Sequence, residues 1–256
     1  MADTTLAAID VRGLTIRYGR QTVLQQLDLA VPAGALFALL GANGAGKSTL
    51  LRALAGIHPV RRGVIDLLGH DRARMPIAVQ RQIAYVAEGQ ALPAARSVSE
   101  LAVYLAPLYP AWDRSYSDQV LAAFHLPVHK PVGALSRGQR MKVSLWAALA
   151  TRPKVLLMDE PFTGMEVAVK DELVRALIDV VSLVETTVLL CTHDLDEVEM
   201  LADWMALLVD GRITHAAPLE SLRAAYAQRT GLERVPLKTL YLGLSRSETS
   251  PVEVLV

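Results

Sequence analysis

Apolar and polar side chains alternate between residues 8 and 31 around the polar stretch YGRQT at 18–22, a period of two that predicts two β-strands joined by a turn. ALFALL (35–40) is short and wholly apolar, as expected for a strand buried on both faces. GVIDLLG (63–69), QIAYVA (82–87), VLLMDE (155–160) and TTVLLCT (186–192) read as further strands, and WMALLVDGRIT (204–214) as a strand and hairpin. Between these runs the period lengthens to that of a helix: TLLRALAG closing on Gly56 as a C-cap, then 97–109, 113–125, the stretch from ALSRGQ through Ala150, 167–184 and 194–202. Residues 218–243 read as helix with a break near Gly231 and Pro236, and the closing SETSPVEVLV has no readable period. Helices and strands alternate, which predicts an α/β fold with a largely parallel sheet.

At 256 residues and 52% hydrophobic content, the chain has the material for a full core and reads as one large α/β domain carrying a smaller lobe. Lys+Arg and Asp+Glu balance at 26 each, so no global field draws it to nucleic acid or anionic lipid, and no nucleic-acid partner is expected. One cysteine, Cys191, excludes an internal disulfide and suits a reducing compartment. MADTTLAAIDVRG lacks the basic-then-apolar layout of a secretory signal, so none is expected. The longest apolar run, LAVYLAPLYPAW (101–112), is broken by Pro107 and Pro110 and is too short to span a bilayer.

The chemistry begins with GANGAGKST (41–49), which fits G-x-x-x-x-G-K-[ST] from Gly41 to Ser48 between a strand and a helix. Backbone N–H groups there can wrap phosphates, Lys47 reaches the β- and γ-phosphates, and the Ser48 hydroxyl can ligate Mg²⁺. VLLMDE then delivers Asp159 and Glu160 to the C-terminal end of a strand, where open α/β sheets bind ligands. Asp159 can hold Mg²⁺ through water, and Glu160 can orient or deprotonate an attacking water. For DE alone, two solvated acids at a strand end is the competing reading. In ALSRGQRMK (134–142), Ser136 suits a helix N-cap, and with the Gly138 backbone it offers donors to a phosphate.

The phosphate loop, LSRGQ, LLMDEP and TH follow in an order that resembles the nucleotide-binding domains of ATP-binding cassette (ABC) proteins over nearly the whole chain. The resemblance implies an α/β P-loop NTPase core with a mainly parallel sheet, an N-terminal antiparallel β subdomain and an inserted α-helical subdomain. Residues 1–87 and 152–217 would form the core, 88–151 the helical subdomain, and 218–256 a C-terminal extension. It implies ATP and Mg²⁺ as cofactors. ATP would be held by Tyr18, which stacks on the adenine, by Gly41, Asn43, Gly44, Gly46, Lys47, Ser48 and Thr49, and by Ser136, Gly138 and Gln139 of a second subunit. Catalysis would fall to Glu160, Lys47 and the switch histidine His193, and Mg²⁺ to Ser48, Asp159 and Glu88. A core or hairpin tyrosine is the alternative for Tyr18, and a surface cap the alternative for His193. Two departures bear on turnover. Glu88 stands where the family commonly has glutamine, with Gln90 two residues on, and TGMEV (163–167) stands for SGLDP, so Glu166 replaces aspartate at a dimer contact.

YPAWDRSYSDQVLAAFHLPVHK, preceding the signature, resembles exporter ATPases grouped with bacitracin and lantibiotic resistance and with GntR-regulated operons. The implied protein is an ATPase subunit that dimerises head to tail around two ATP molecules, as a homodimer or heterodimer. It would drive a separate transmembrane permease subunit from the cytoplasmic face of the membrane, as an exporter. Two other readings stay open: a soluble, non-transport ABC ATPase for assembly or regulation, and a binding module whose sites are inert. Leu92, Tyr104, Leu108, Tyr109 and Trp112 are expected to supply the surface that docks the membrane subunit, against the alternative that they are core of the small lobe.

Overall fold

In the computed structural model, which describes residues 7–87, 89 and 92–246, the chain opens with β1 (Ala7–Tyr18), β2 (Gln21–Pro32), β3 (Leu36–Leu40), α1 (Lys47–Leu54), β4 (Val64–Leu67) and β5 (His70–Asp71). Then come α2 (Ile77–Gln80), β6 (Ile83–Val86), α3 (Val98–Leu105), α4 (Arg114–Ala123), α5 (Arg137–Leu149), β7 (Val155–Asp159) and α6 (Val167–Ser182). β8 (Thr187–Thr192), α7 (Leu195–Leu201), β9 (Trp204–Val209), β10 (Arg212–Pro218), α8 (Leu219–Thr230) and α9 (Leu237–Arg246) complete the order. Contacts divide the chain into two compact units, Met1–Met75 with Thr187–Val256, and Pro76–Thr186. These boundaries differ from the division at 87/88 and 151/152 expected from the resemblance.

In the first unit, β2, β1, β4 and β5 form an antiparallel sheet in that order. The alternation read from 8–31 is what builds it: Ile9, Val11, Leu14 and Ile16 of β1 and Leu24, Leu27, Leu29 and Val31 of β2 are buried, with polar residues between them. A second sheet runs β10-β9-β3-β8, with β3 parallel to both neighbours. β3 and β8 are buried nearly throughout, the signature of strands covered on both faces. α8 and α9 close one side of this sheet, where Leu219, Leu237, Leu240 and Leu244 pack with Leu40, Met205 and Leu207. The break between these helices falls at Gly231, a left-handed C-cap.

The second unit pairs β6 with β7 in parallel and surrounds them with α3 to α6. Trp146 of α5 is fully buried and donates its indole N–H to Ser117 Oγ of α4 at 3.1 Å, which satisfies the one polar atom of the ring. Lys142 of α5 is buried along its stem and donates to Glu172 Oε1 of α6 at 2.6 Å, holding that carboxyl below its usual range. Trp112 meets Trp146 edge-on with ring centroids 6.1 Å apart. That contact assigns Trp112 to packing within the unit.

Candidate nucleotide site

β3 ends at Leu40, and the glycine loop fills the space between it and α1. Gly46 has φ +111, and a Cβ there would lie 2.6 Å from Leu24 Cδ2, so both conformation and space demand glycine. Because α1 starts at the next residue, its first backbone N–H groups point into the loop, and the axial dipole favours an anion there. Lys47 is 6% exposed, and its Nζ donates to Gly41 O at 2.7 Å and Ala42 O at 3.3 Å. A cation is thus built into the concave side of the loop, beside the half-buried Ser48 and Thr49 and the exposed Asn43 and Gly44.

His193 follows β8. The register pairs Leu40 with Thr192, so the glycine loop and His193 leave neighbouring parallel strands at the same end. His193 is exposed, and Thr192 Oγ1 accepts from the Asp194 N–H at 3.0 Å to shape the turn. Tyr18, at the end of β1, is 46% exposed, which rules out the core-tyrosine alternative. His58 stands edge-on to its ring at 5.2 Å between centroids, a neighbour that sequence spacing gives no means of anticipating.

In the second unit, Asp159 ends β7 and is 2% exposed, and the Tyr85 hydroxyl of β6 donates to its Oδ2 at 3.3 Å. Val86 pairs with Met158, so β6 ends beside the end of β7. Glu88 lies outside the described residues. Glu160 sits at φ +47, a left-handed conformation rare for a long side chain, directly at the strand end. Thr163 Oγ1, at the start of the TGMEV segment, donates to Glu160 Oε2 at 3.2 Å. Ser136 caps α5: its Oγ accepts from the Gln139 N–H at 3.2 Å while Gln139 Oε1 accepts from the Ser136 N–H at 3.1 Å, a reciprocal capping box. Ser136 and Arg137 are exposed, with Gly138 and Gln139 half-buried. The structure thus gathers Gly41, Asn43, Gly44, Gly46, Lys47, Ser48 and Thr49 into one loop, with Tyr18 and His193 in the same unit. Asp159, Glu160, Ser136, Gly138 and Gln139 lie in the other.

A glycine loop that closes on a buried lysine between a strand and a helix defines a P-loop nucleotide-binding protein. The family model for ABC transporters matches residues 24–163. The daunorubicin resistance ATP-binding protein DrrA3 of Streptomyces coeruleorubidus is 36% identical over 243 residues, 92% of this chain and 73% of that protein. The Fe(3+) ions import ATP-binding protein FbpC of Streptomyces coelicolor is 34% identical over 83% of this chain, which spans 62% of that relative's length. Among solved structures, the ATP binding subunit of an ABC transporter superposes with a TM-score of 0.81 at 27% identity, covering 93% of this chain and 100% of that one. The chain belongs to the ABC transporter family and carries its ATP-binding ATPase domain.

Proposed function

We propose that the protein is the ATP-hydrolysing subunit of a transporter, pairing with a second nucleotide-binding subunit on ATP and driving a separate transmembrane permease from the cytoplasmic face of the membrane. The observation that carries the pairing is the turn at Ser136: capped, exposed and at the N-terminus of a thirteen-residue helix, it offers phosphate donors on a surface apart from the loop that holds Lys47. Ser48, Asp159 and Glu88 are the oxygen ligands we assign to Mg²⁺, and the hard oxygens of Ser48 and Asp159 in the structure suit that ion. Held by these residues, Mg²⁺ would supply positive charge that offsets the negative charge of the phosphates during transfer. Lys47 holds the same phosphates, Glu160 takes the proton of the attacking water, and His193 contacts the γ-phosphate. Tyr18 offers its exposed ring to the adenine.

Val103, Tyr104 and Leu108 are exposed on and after α3, with Arg96 over the Tyr104 ring at 5.8 Å, and we assign the permease to this surface. Leu92 and Tyr109 are half-buried at its margin. No helix among the described residues is long and apolar enough to cross a membrane. We read the transporter as an exporter, supported by the YPAWD segment and by likeness to the daunorubicin resistance protein. FbpC and the aliphatic sulfonates import protein SsuB 1 of Pseudomonas fluorescens carry the opposite direction in their names. Glu160→Gln keeps the shape of the side chain and removes the proton acceptor, so it should bind ATP, turn over about 10² to 10⁴ times more slowly and accumulate as a dimer by light scattering. A monomer at saturating ATP would refute the homodimer. Substituting Tyr104 and Leu108 with polar residues should abolish co-purification with the membrane partner without altering ATP binding. A soluble assembly ATPase would be indifferent to those changes and have no membrane partner.

A further inference from the structure

The turn that opens α5 and the loop between β7 and α6 interlock through two glycines. Arg137 lays its guanidinium on Gly164: a Cβ built there would lie 2.6 Å from Nη1 and 3.0 Å from Cζ. In return, Gly138 is covered from the loop side, where a Cβ would lie 3.0 Å from Val169 Cγ1 and 3.3 Å from Met165 Cε. Gly164 has φ +70, so neither its backbone nor its surroundings accept a side chain. Beside it, Thr163 gives Glu160 two hydrogen bonds, from Oγ1 to Oε2 at 3.2 Å and from its N–H to the Glu160 carbonyl at 3.4 Å. Arg137, Thr163, Met165 and Glu160 line one cavity of about 230 Å³ together with Arg140, whose Nη1 is held by the Leu135 carbonyl at 2.6 Å.

We propose that Thr163 is a positioning residue for Glu160, and that Arg137 acts behind it by fixing the Gly164 backbone. A glutamate has three side-chain torsions, so each bond to its carboxylate narrows where that carboxylate can sit. The Thr163 hydroxyl donates to one carboxylate oxygen, so once the backbone that carries it is fixed, that bond selects one carboxylate orientation. The backbone is fixed by a flat guanidinium on a bare Cα, a contact the compact ammonium of lysine does not reproduce. Misplacing a reacting group by about 1 Å lowers rates by up to about 10²-fold, so a single orienting hydrogen bond has a measurable effect on kcat.

The proposal rests on the reading of Glu160 as the residue that handles water, and the experiment separates the two. Steady-state hydrolysis of ATP is measured for Thr163→Val, Thr163→Ser, Arg137→Ala, Arg137→Lys, Glu160→Gln and the Thr163→Val/Glu160→Gln double variant of the full chain. Thr163→Val should lower kcat about tenfold with KM for ATP unchanged, and Thr163→Ser should restore it. In the Glu160→Gln background the valine should have no further effect, because the carboxylate it orients is gone. Arg137→Ala and Arg137→Lys should both lower kcat, with ATP-dependent dimerisation in the Glu160→Gln background unchanged. Wild-type kcat in Thr163→Val, failure of serine to rescue, or a loss of equal size in the Glu160→Gln background would overturn the positioning role. Loss of dimerisation in Arg137→Ala would overturn the part given to arginine. Undiminished turnover in Glu160→Gln would sink the underlying assignment whatever threonine does.

Discussion

Two turns in this protein offer backbone donors at the start of a helix, and they are built in opposite ways. The glycine loop before α1 wraps a lysine that is 6% exposed and tied to two of the loop's own carbonyls. The turn before α5 has its serine in a capping box and its arginine laid along a neighbouring loop, with Ser136 and Arg137 both exposed. The first is a finished anion site, with shape and charge in one segment. The second has donors and an arginine that is laid on Gly164, with no lysine folded into the turn, so on the proposed reading its phosphate is delivered by another subunit. On the proposed reading, similar helix-end chemistry serves a resident ligand in one place and a presented one in the other.

Removing the lysine tests the contrast most severely. Lys47→Ala should weaken ATP binding about 100-fold, read with a fluorescent nucleotide, because a charge-assisted contact goes and no other basic side chain lies in the loop. The corresponding change at the other turn should spare that reading. Gly138→Val pushes methyl groups at Val169 and Met165, and should abolish ATP-dependent dimerisation while the monomer's affinity for nucleotide stays within about twofold. If Gly138→Val weakened nucleotide binding as much as Lys47→Ala, the two turns would not be distinct in role. Ser136→Ala is milder. It removes one cap of about 1 kcal/mol, which lowers Tm by about 2–4 °C, and it should reduce dimerisation beyond what the loss of stability explains.

The smallest expected effect lies away from both turns. Burial first, and the charge of Arg229 second, push the His215 imidazole below its usual value of 6.5. The unfolded chain then takes up its proton at higher pH than the folded one. Stability present above the usual value is lost as pH falls through the lowered one. His215→Gln should flatten this part of the pH–stability curve and leave ATP affinity unchanged. A curve of unchanged slope would show that His215 does not titrate differently on folding.

Much of this was legible in the sequence where a local pattern carries the information. The alternation at 8–31 became β1 and β2, the apolar runs became β3, β7 and β8, and the break at Gly231 separates α8 from α9. The glycine loop and the Asp159–Glu160 pair stand at the strand ends where their motifs put them. What was not legible depends on contacts between distant segments. β5 is two residues long and exists only by pairing with β4, so it has no period to read. Trp112 has Trp146, thirty-four positions on, as an edge-on neighbour that no local pattern foretells. His58 beside Tyr18 belongs to no motif, and although Thr163 opens TGMEV, that segment's pattern does not say that its hydroxyl reaches back to Glu160.

The left-handed backbone of Glu160 has a consequence for anyone who engineers this molecule. A long side chain at φ +47 sits about 1 kcal/mol above what glycine would experience in the same place. A library screened for heat resistance alone should therefore enrich Glu160→Gly, and under the role proposed for Glu160 those clones would lose most of their turnover. Heat tolerance and activity would then select opposite residues at one codon, so a search for a robust variant should score hydrolysis in the same round.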